Sequence, residues 1–237
     1  LLIELLTFVL EKGHYNPATM DDEFSKGVYK DYIEALDPSK RFFLQADIDE
    51  FSKYELELDD QLLNKDLTFF DLTYTRLMQR IDESKSIYKS ILSKPFDYKA
   101  DESFNTDYEK MPYAKNATEL NERWRKQIKL STLSSLVDRM EIQESNGKID
   151  KDLKEAAAPI NSEVGFQDAD VNAKKTTVAE KVKSKTFDEL EKETRESSLK
   201  SLDEYFGFIK DLTRNDYFSV YLNSVTGRFD PHTNYLA

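Results

Sequence analysis

Two serine–lysine pairs are the first candidates for chemistry in this sequence: Ser86 with Lys89, and Ser197 with Lys200. A lysine that serves as the base for a serine nucleophile must be neutral, and therefore buried. Both pairs lie in highly charged helical stretches, where a lysine stays solvated and protonated. We therefore expect neither pair to be catalytic, and the sequence contains no G-x-S-x-G motif.

Metal and cofactor sites are equally poorly supported by the residue types. His14 and His232 are the only histidines, and cysteine is absent. Two imidazoles cannot form a usual zinc site without carboxylate ligands. The acidic pairs at 21–22 and 59–60 lack the spacing of a calcium loop and are typical of helix N-termini. With no glycine-rich phosphate loop either, we expect no catalytic, cofactor-binding or metal-binding residue in this chain and no cofactor.

The charge balance excludes two classes of partner. The 237 residues include 34 basic and 46 acidic ones, giving a net charge of −12. Binding to a nucleic-acid backbone or to an anionic membrane surface requires clustered Lys and Arg. The longest apolar run, at residues 1–6, is interrupted by Glu4 and is too short to span a bilayer. We expect no nucleic-acid partner and no direct membrane insertion.

The elements that would position any functional side chain are helices. Only six Gly and six Pro interrupt the chain, and alternating strand patterns are nearly absent. This pattern predicts an all-α fold, an irregular multi-helix domain with long ordered loops. Apolar periodicity and helix-stop residues place the helices at 1–12, 22–37, 47–58, 66–93, 117–140, 186–212 and 217–225.

Helix ends and one core residue can also be predicted. Asp47 is expected to cap the third helix, and Gly227 to follow the last helix as a C′ residue. Trp124 shares an apolar helical stripe with Leu120 and Ile128, and the same helix then carries Leu133, Leu136 and Met140. Trp124 is therefore predicted to anchor the core and not to form a ligand platform.

Three segments between these helices have distinct characters. Residues 39–45 are a short connector that carries the bulky group Phe42-Phe43-Leu44. Residues 96–116 have no helical period and contain spaced aromatics, which predicts an ordered loop that wraps the helices. Residues 141–185 are rich in Lys, Asp and turn residues and poor in large apolar side chains. They are the strongest candidate for a variable, mobile insertion.

Several motifs together resemble one protein family. They follow one another in a fixed order: Gly13-His14-Tyr15, Leu36-Asp37, Leu44-Gln45-Ala46-Asp47, Lys94-Pro95-Phe96-Asp97, Lys115-Asn116 with Trp124, and Asp230-Pro231-His232-Thr233-Asn234-Tyr235-Leu236. The set resembles the N-terminal helical domain of bacterial tail-specific proteases, also called C-terminal processing peptidases. The last motif is the most specific, and the resemblance covers nearly the whole chain except 141–185.

The resemblance implies a larger parent protein. Residues 1–226 would form its N-terminal helical domain, and 227–237 would lead into a PDZ domain and a serine peptidase domain with a Ser–Lys dyad beyond this chain. Within that lead-in, structural or linker roles are expected for Asp230, Pro231, His232, Tyr235 and Leu236. The chain begins with Leu and ends on this signature, so we expect both ends to have been cut from a longer sequence.

Function and partners follow from the same resemblance. Such a parent would be periplasmic and would degrade or process proteins with apolar C-terminal tails. Its N-terminal domain would scaffold the protease, limit substrate access and dock a partner, for which a helical-repeat adaptor lipoprotein is one candidate. The alternative is a self-standing helical protein-binding module with no peptidase attached.

Overall fold

The computed structural model describes residues 19–156 and 184–229 and confirms the all-α fold in that part of the chain. The α-helices are α1 Asp22–Leu36, α2 Gln45–Phe51, α3 Leu58–Asn64, α4 Thr68–Leu92, α5 Ala117–Ala156, α6 Phe187–Asp211 and α7 Arg214–Thr226. A 3₁₀ turn, Ser52–Tyr54, lies between α2 and α3. The only strand-like pairing in the described residues is one isolated bridge between Leu44 and Ala114.

Helix α1 begins and ends where its sequence predicts. The Asp21 carboxylate accepts hydrogen bonds from the N–H groups of Glu23 and Phe24 and so satisfies donors that have no partner within the helix. Asp37 ends the helix because the following Pro38 disfavours the helical conformation at the preceding residue.

The Asp37 carboxylate organises the connector between α1 and α2. It is almost completely buried and accepts hydrogen bonds of 2.9 Å from the backbone N–H groups of Arg41, Phe42 and Phe43. Burial raises the pKa of Asp37, while the three N–H donors oppose that rise by stabilising the charged form. Lys40 takes the left-handed conformation, with φ of 47°, which lets the chain fold back over the carboxylate.

Helix α5 holds the same connector from its carbonyl side. Three side chains of α5 donate to three consecutive carbonyl oxygens: Gln127 to Ser39 at 3.2 Å, Arg123 to Lys40 at 2.7 Å and Trp124 to Arg41 at 2.7 Å. Backbone N–H groups and carbonyl groups of this irregular, partly buried segment therefore both have partners.

Packed aromatic rings join α4, α5 and α6 beneath the connector. Phe206 of α6 stacks on Tyr88 of α4 with ring centroids 4.8 Å apart, and its other ring contacts include Trp124 at 6.1 Å. Phe42 meets Trp124 edge-on at 6.0 Å. Only 1% of Trp124 is exposed, so the side chain lies in the core.

Helix α7 closes the opposite side of the core against α1. Tyr221 packs edge-on against Tyr32 at 5.1 Å, and Phe229, just after α7, packs against Phe24 at 5.3 Å. The Arg228 guanidinium crosses α1 directly over Gly27, where an added Cβ would lie 2.4 Å from it. Gly27 therefore leaves room for the Arg228 side chain on α1.

The stretch predicted as one helix over 47–58 is three elements in the structure: α2, the 3₁₀ turn and α3. The prediction that Asp47 caps this stretch as its first residue is wrong, because Leu44 occupies the N-cap position. Asp47 lies inside the first turn, accepts from the Leu44 N–H at 2.9 Å and binds Arg80 of α4 at 2.9 Å. Burial alone would raise the pKa of Asp47, but the Arg80, Leu44 and Arg76 donors together lower it.

Two helix ends also differ from the sequence predictions. Helix α5 continues through Glu141 to Ala156, so the first part of the proposed insertion at 141–185 is helical; residues 157–183 lie outside the described residues. Gly227 follows α7 in the right-handed conformation, with φ of −60°. It is therefore not the left-handed C′ glycine that its position suggested.

The position of Trp124 gives a direct stability prediction. Trp124→Ala should lower the free energy of unfolding by roughly 3–5 kcal/mol, because it leaves a large cavity beside Phe206. Trp124→Phe should cost less, about 1–3 kcal/mol, mainly through the lost hydrogen bond to the Arg41 carbonyl. Urea unfolding followed by circular dichroism measures both, with Leu63→Ala at an exposed site as control. A loss below about 1 kcal/mol for Trp124→Ala would contradict the core assignment.

Candidate functional site

All four residues of the two serine–lysine pairs are exposed. The Lys89 and Lys200 side chains are exposed, and their ammonium groups lie 3.4 Å from Asp203 and 3.8 Å from Glu204. This exposure confirms the prediction that both lysines are solvated.

The acidic pairs act in helix termini and packing. Asp59, in the first turn of α3, is buried and accepts from the Ser25 hydroxyl at 2.6 Å, which ties α3 to α1. Among the described residues, no group of three potential ligands is arranged to hold a metal ion. His14 and His232 lie outside that part of the chain. No helix within it is long and apolar enough to cross a bilayer.

The most distinctive surface of the described chain is an apolar row on α5, which we call the α5 seam. It consists of Leu130, Leu133, Val137 and Met140, and each of these side chains is at least a third exposed. Their spacings of three, four and three residues place them on one side of the helix. This regular spacing is the pattern with which one helix packs against another.

The apolar residues that follow the Trp124 stripe on α5 do not all lie in the core. Leu136 is buried, with 1% exposure, but Leu133 and Met140 are not. The register of the sequence groups Leu133 and Met140 with Leu130 and Val137, and it places Leu136 on the Trp124 and Ile128 side of the helix. It does not specify which of the two groups is exposed.

Three charged residues fix the loop 93–116 beside the seam, and we call them the clamp: Glu102 of the loop, and Arg125 and Lys129 of α5. Glu102 accepts hydrogen bonds from Arg125 and Lys129 of α5. Lys129, which is buried, also donates to the Asp97 carbonyl at 2.5 Å. These contacts attach the loop to α5 along its first half. The sequence predicted a loop anchored by aromatics and missed these ion pairs, because they depend on where the loop packs against α5.

The clamp also forms one wall of a shallow groove next to the seam. The groove has a volume of about 240 Å³ and includes Leu130 and Leu133 of the seam together with Phe104 of the loop. Tyr98 lies at its edge and meets the exposed ring of Phe187 from α6 at 6.3 Å. The apolar surface is therefore wider than the row of α5 side chains alone.

The linker residues proposed from the sequence, Asp230, Pro231, His232, Tyr235 and Leu236, lie outside the described residues. The chain that leads to them is anchored on α1: Phe229 is buried against Phe24, and Arg228 lies 3.5 Å from Asp31. Their roles remain predictions.

Comparison with known proteins identifies the relatives of this chain. The family described as the tail specific protease N-terminal domain matches residues 6–237. A tail-specific protease of Haemophilus influenzae is 27% identical over 233 residues, which make up 96% of this chain and 26% of that protein. The chain therefore spans about a quarter of the length of the curated relative it matches.

The clamp predicts an unusual titration of Glu102. Hydrogen bonds from Arg125 and then Lys129 lower the pKa of Glu102 to about 2. Since the folded-state pKa is lowered, the clamp contributes its full stability above about pH 4, the ordinary range of a glutamate, and loses it as the pH falls towards 2.

Carboxyl NMR should find this low pKa in the native chain. In Arg125→Gln the pKa of Glu102 should move back towards its ordinary value, whereas Arg214→Gln, which removes an ion pair with Asp71 elsewhere, should leave it unchanged. An ordinary pKa of Glu102 in the native chain would show that the clamp does not form.

Proposed function

Because the chain belongs to the family of tail-specific protease N-terminal domains, we propose that it forms the non-catalytic N-terminal domain of a periplasmic serine endopeptidase. The parent would degrade or process proteins with apolar C-terminal tails, using a Ser–Lys dyad located after residue 237. The family match is the observation that carries this proposal. The solvated Lys89 and Lys200 support the assignment of catalysis to another part of the parent.

The proposed role of this domain is to scaffold the protease and to limit substrate access. Helix α5 has 40 residues and is therefore about 60 Å long. Trp124, Arg123 and Gln127 fix one part of it to the connector, and the clamp fixes the loop alongside. A long helix held in this way is a suitable rigid frame on which other domains can be placed.

The α5 seam is the proposed docking face for the rest of the parent polypeptide. Side chains spaced by three and four residues fit into the gaps of a second helix that carries a similar apolar row. Most of the length of the Haemophilus influenzae relative lies outside the part that this chain matches, so the parent has ample sequence to supply such a helix. We commit to a helix of the same polypeptide as the occupant.

Two other candidates remain as outcomes of the same test. A helical-repeat adaptor lipoprotein could occupy the seam in place of a parent helix. A self-standing binding module would leave the seam free in the absence of an external partner. This sequence matches only one part of the longer Haemophilus influenzae protein. That match favours a helix of the parent polypeptide over the other two candidates.

Thiol labelling can test the seam, because the chain contains no cysteine. Val137→Cys places a reporter thiol in the seam, where the native side chain is 43% exposed. Labelling of this thiol should be at least about tenfold slower in the full-length parent than in the isolated chain, because the reagent reaches the thiol only when the interface is open. Other cysteines of the parent, where present, are first replaced by serine.

Ile142→Cys is the matched control, because Ile142 is 60% exposed on the same helix but outside the seam. Its labelling rate should be the same in the isolated chain and in the parent. Equal labelling of Val137→Cys in both proteins would contradict the parent helix as occupant. Protection that arises only on adding the adaptor would assign the seam to that partner.

A further inference from the structure

A second groove lies between α5 and α6 on the side away from the seam. It has a volume of about 430 Å³ and a floor that includes Trp124, Ile128 and Leu202. Two arginines, Arg41 and Arg139, line it, and no aspartate or glutamate does. In a chain with a net charge of −12, a groove with only cationic charged groups is suited to an anionic ligand.

Arg41 is held rigidly at this groove. Its backbone N–H donates to Asp37 and its carbonyl accepts from Trp124. Its guanidinium lies over three aromatic rings, with the central carbon 4.8 Å from the centroid of Tyr205, 5.1 Å from Trp124 and 5.3 Å from Phe42. Such contacts hold the guanidinium in place without supplying a hydrogen-bond acceptor in its plane for its N–H donors.

The guanidinium donors of Arg41 have no acceptor among the described residues. Every other arginine in that part of the chain has a carboxylate or carbonyl partner: Arg76, Arg80, Arg123, Arg125, Arg139, Arg195, Arg214 and Arg228. The carboxylate of Asp37 is close enough to influence Arg41 electrostatically, but three backbone N–H groups already occupy it. Arg41 is therefore a preorganised donor fork that faces an open groove.

Gln127 provides the complementary group. Its amide nitrogen donates to the Ser39 carbonyl at 3.2 Å, which fixes the side chain. Its oxygen Oε1 is buried and accepts no hydrogen bond from the described residues. A buried amide oxygen without a donor is costly, so a ligand that brings an N–H or O–H group to it gains binding energy.

We propose that this groove binds an extended peptide through a carboxylate. The carboxylate pairs with Arg41, a neighbouring peptide N–H donates to Gln127 Oε1, and the ligand's apolar atoms cover Trp124 and Ile128. An acidic side chain and a free C-terminus supply the same carboxylate chemistry. This site does not depend on the proposed docking of the seam, which lies on another face of α5.

Fluorescence anisotropy of labelled short peptides, built from Ala, Gly and Ser and added to the full chain, tests the proposal. One peptide has a free C-terminal carboxylate, a second has a C-terminal amide and an internal glutamate, and a third has the amide with glutamine in place of that glutamate. The first, the second or both should bind saturably, which identifies the source of the carboxylate, and the third should bind at least about tenfold more weakly.

Variants assign the binding to this groove. Arg41→Gln should weaken binding by about 10- to 100-fold, and Arg41→Lys should retain part of it. Arg214→Gln is the matched control, because Arg214 also lies over an aromatic ring, that of Phe70 at 4.7 Å, but at a different surface. Gln127→Glu, which places a negative charge beside Arg41, should also weaken binding, and it keeps the test valid if Arg41→Gln fails to fold.

Four results would overturn the proposal. The first is the absence of saturable binding of either carboxylate peptide. The second is equal binding of the neutral glutamine peptide. The third is binding that Arg41→Gln, in a folded protein, and Gln127→Glu both leave unchanged. Displacement of the bound peptide by inorganic phosphate as efficiently as by acetylated glutamate would likewise show a general anion site and not a peptide site.

Discussion

The buried carboxylate of Asp37 is the interaction on which the described fold depends. It ends α1 and gathers three consecutive N–H groups of the connector, while α5 holds the neighbouring carbonyl groups. A segment with irregular backbone can lie in the interior only if such partners satisfy its polar groups. Asp37, at the end of α1, and the side chains of α5 bind the same connector. These hydrogen bonds therefore fix the two helices relative to each other.

The same connector relates the two surfaces for which functions are proposed. Arg123 and Trp124 hold α5 against it, and further along α5 the seam faces away from the core. On the other side of α5, the connector places Arg41 over the ring of Trp124 at the edge of the second groove. One helix thus presents an apolar row to one side and a cationic groove to the other, and both rest on the same buried hydrogen bonds.

The sequence predicted the helical class, the stop at Asp37–Pro38 and the position of Trp124, because each depends on local periodicity or on the chemistry of one residue. It did not predict that Asp37 would bind the connector, since that contact depends on the path of the chain after the helix. It also did not distinguish Leu133 and Met140 from the core residues of α5. Their exposure depends on where α6 and the loop 93–116 pack, which periodicity within one helix does not specify.

Urea unfolding of Asp37→Ala tests the central role of this carboxylate most directly. The substitution leaves three buried N–H groups without an acceptor, so it should lower the free energy of unfolding by at least about 3 kcal/mol. Asp21→Ala, which removes an exposed N-cap of the same helix, should cost only about 1 kcal/mol. A loss for Asp37→Ala no greater than that for Asp21→Ala would contradict the account, because it would show that the connector keeps its structure without the carboxylate.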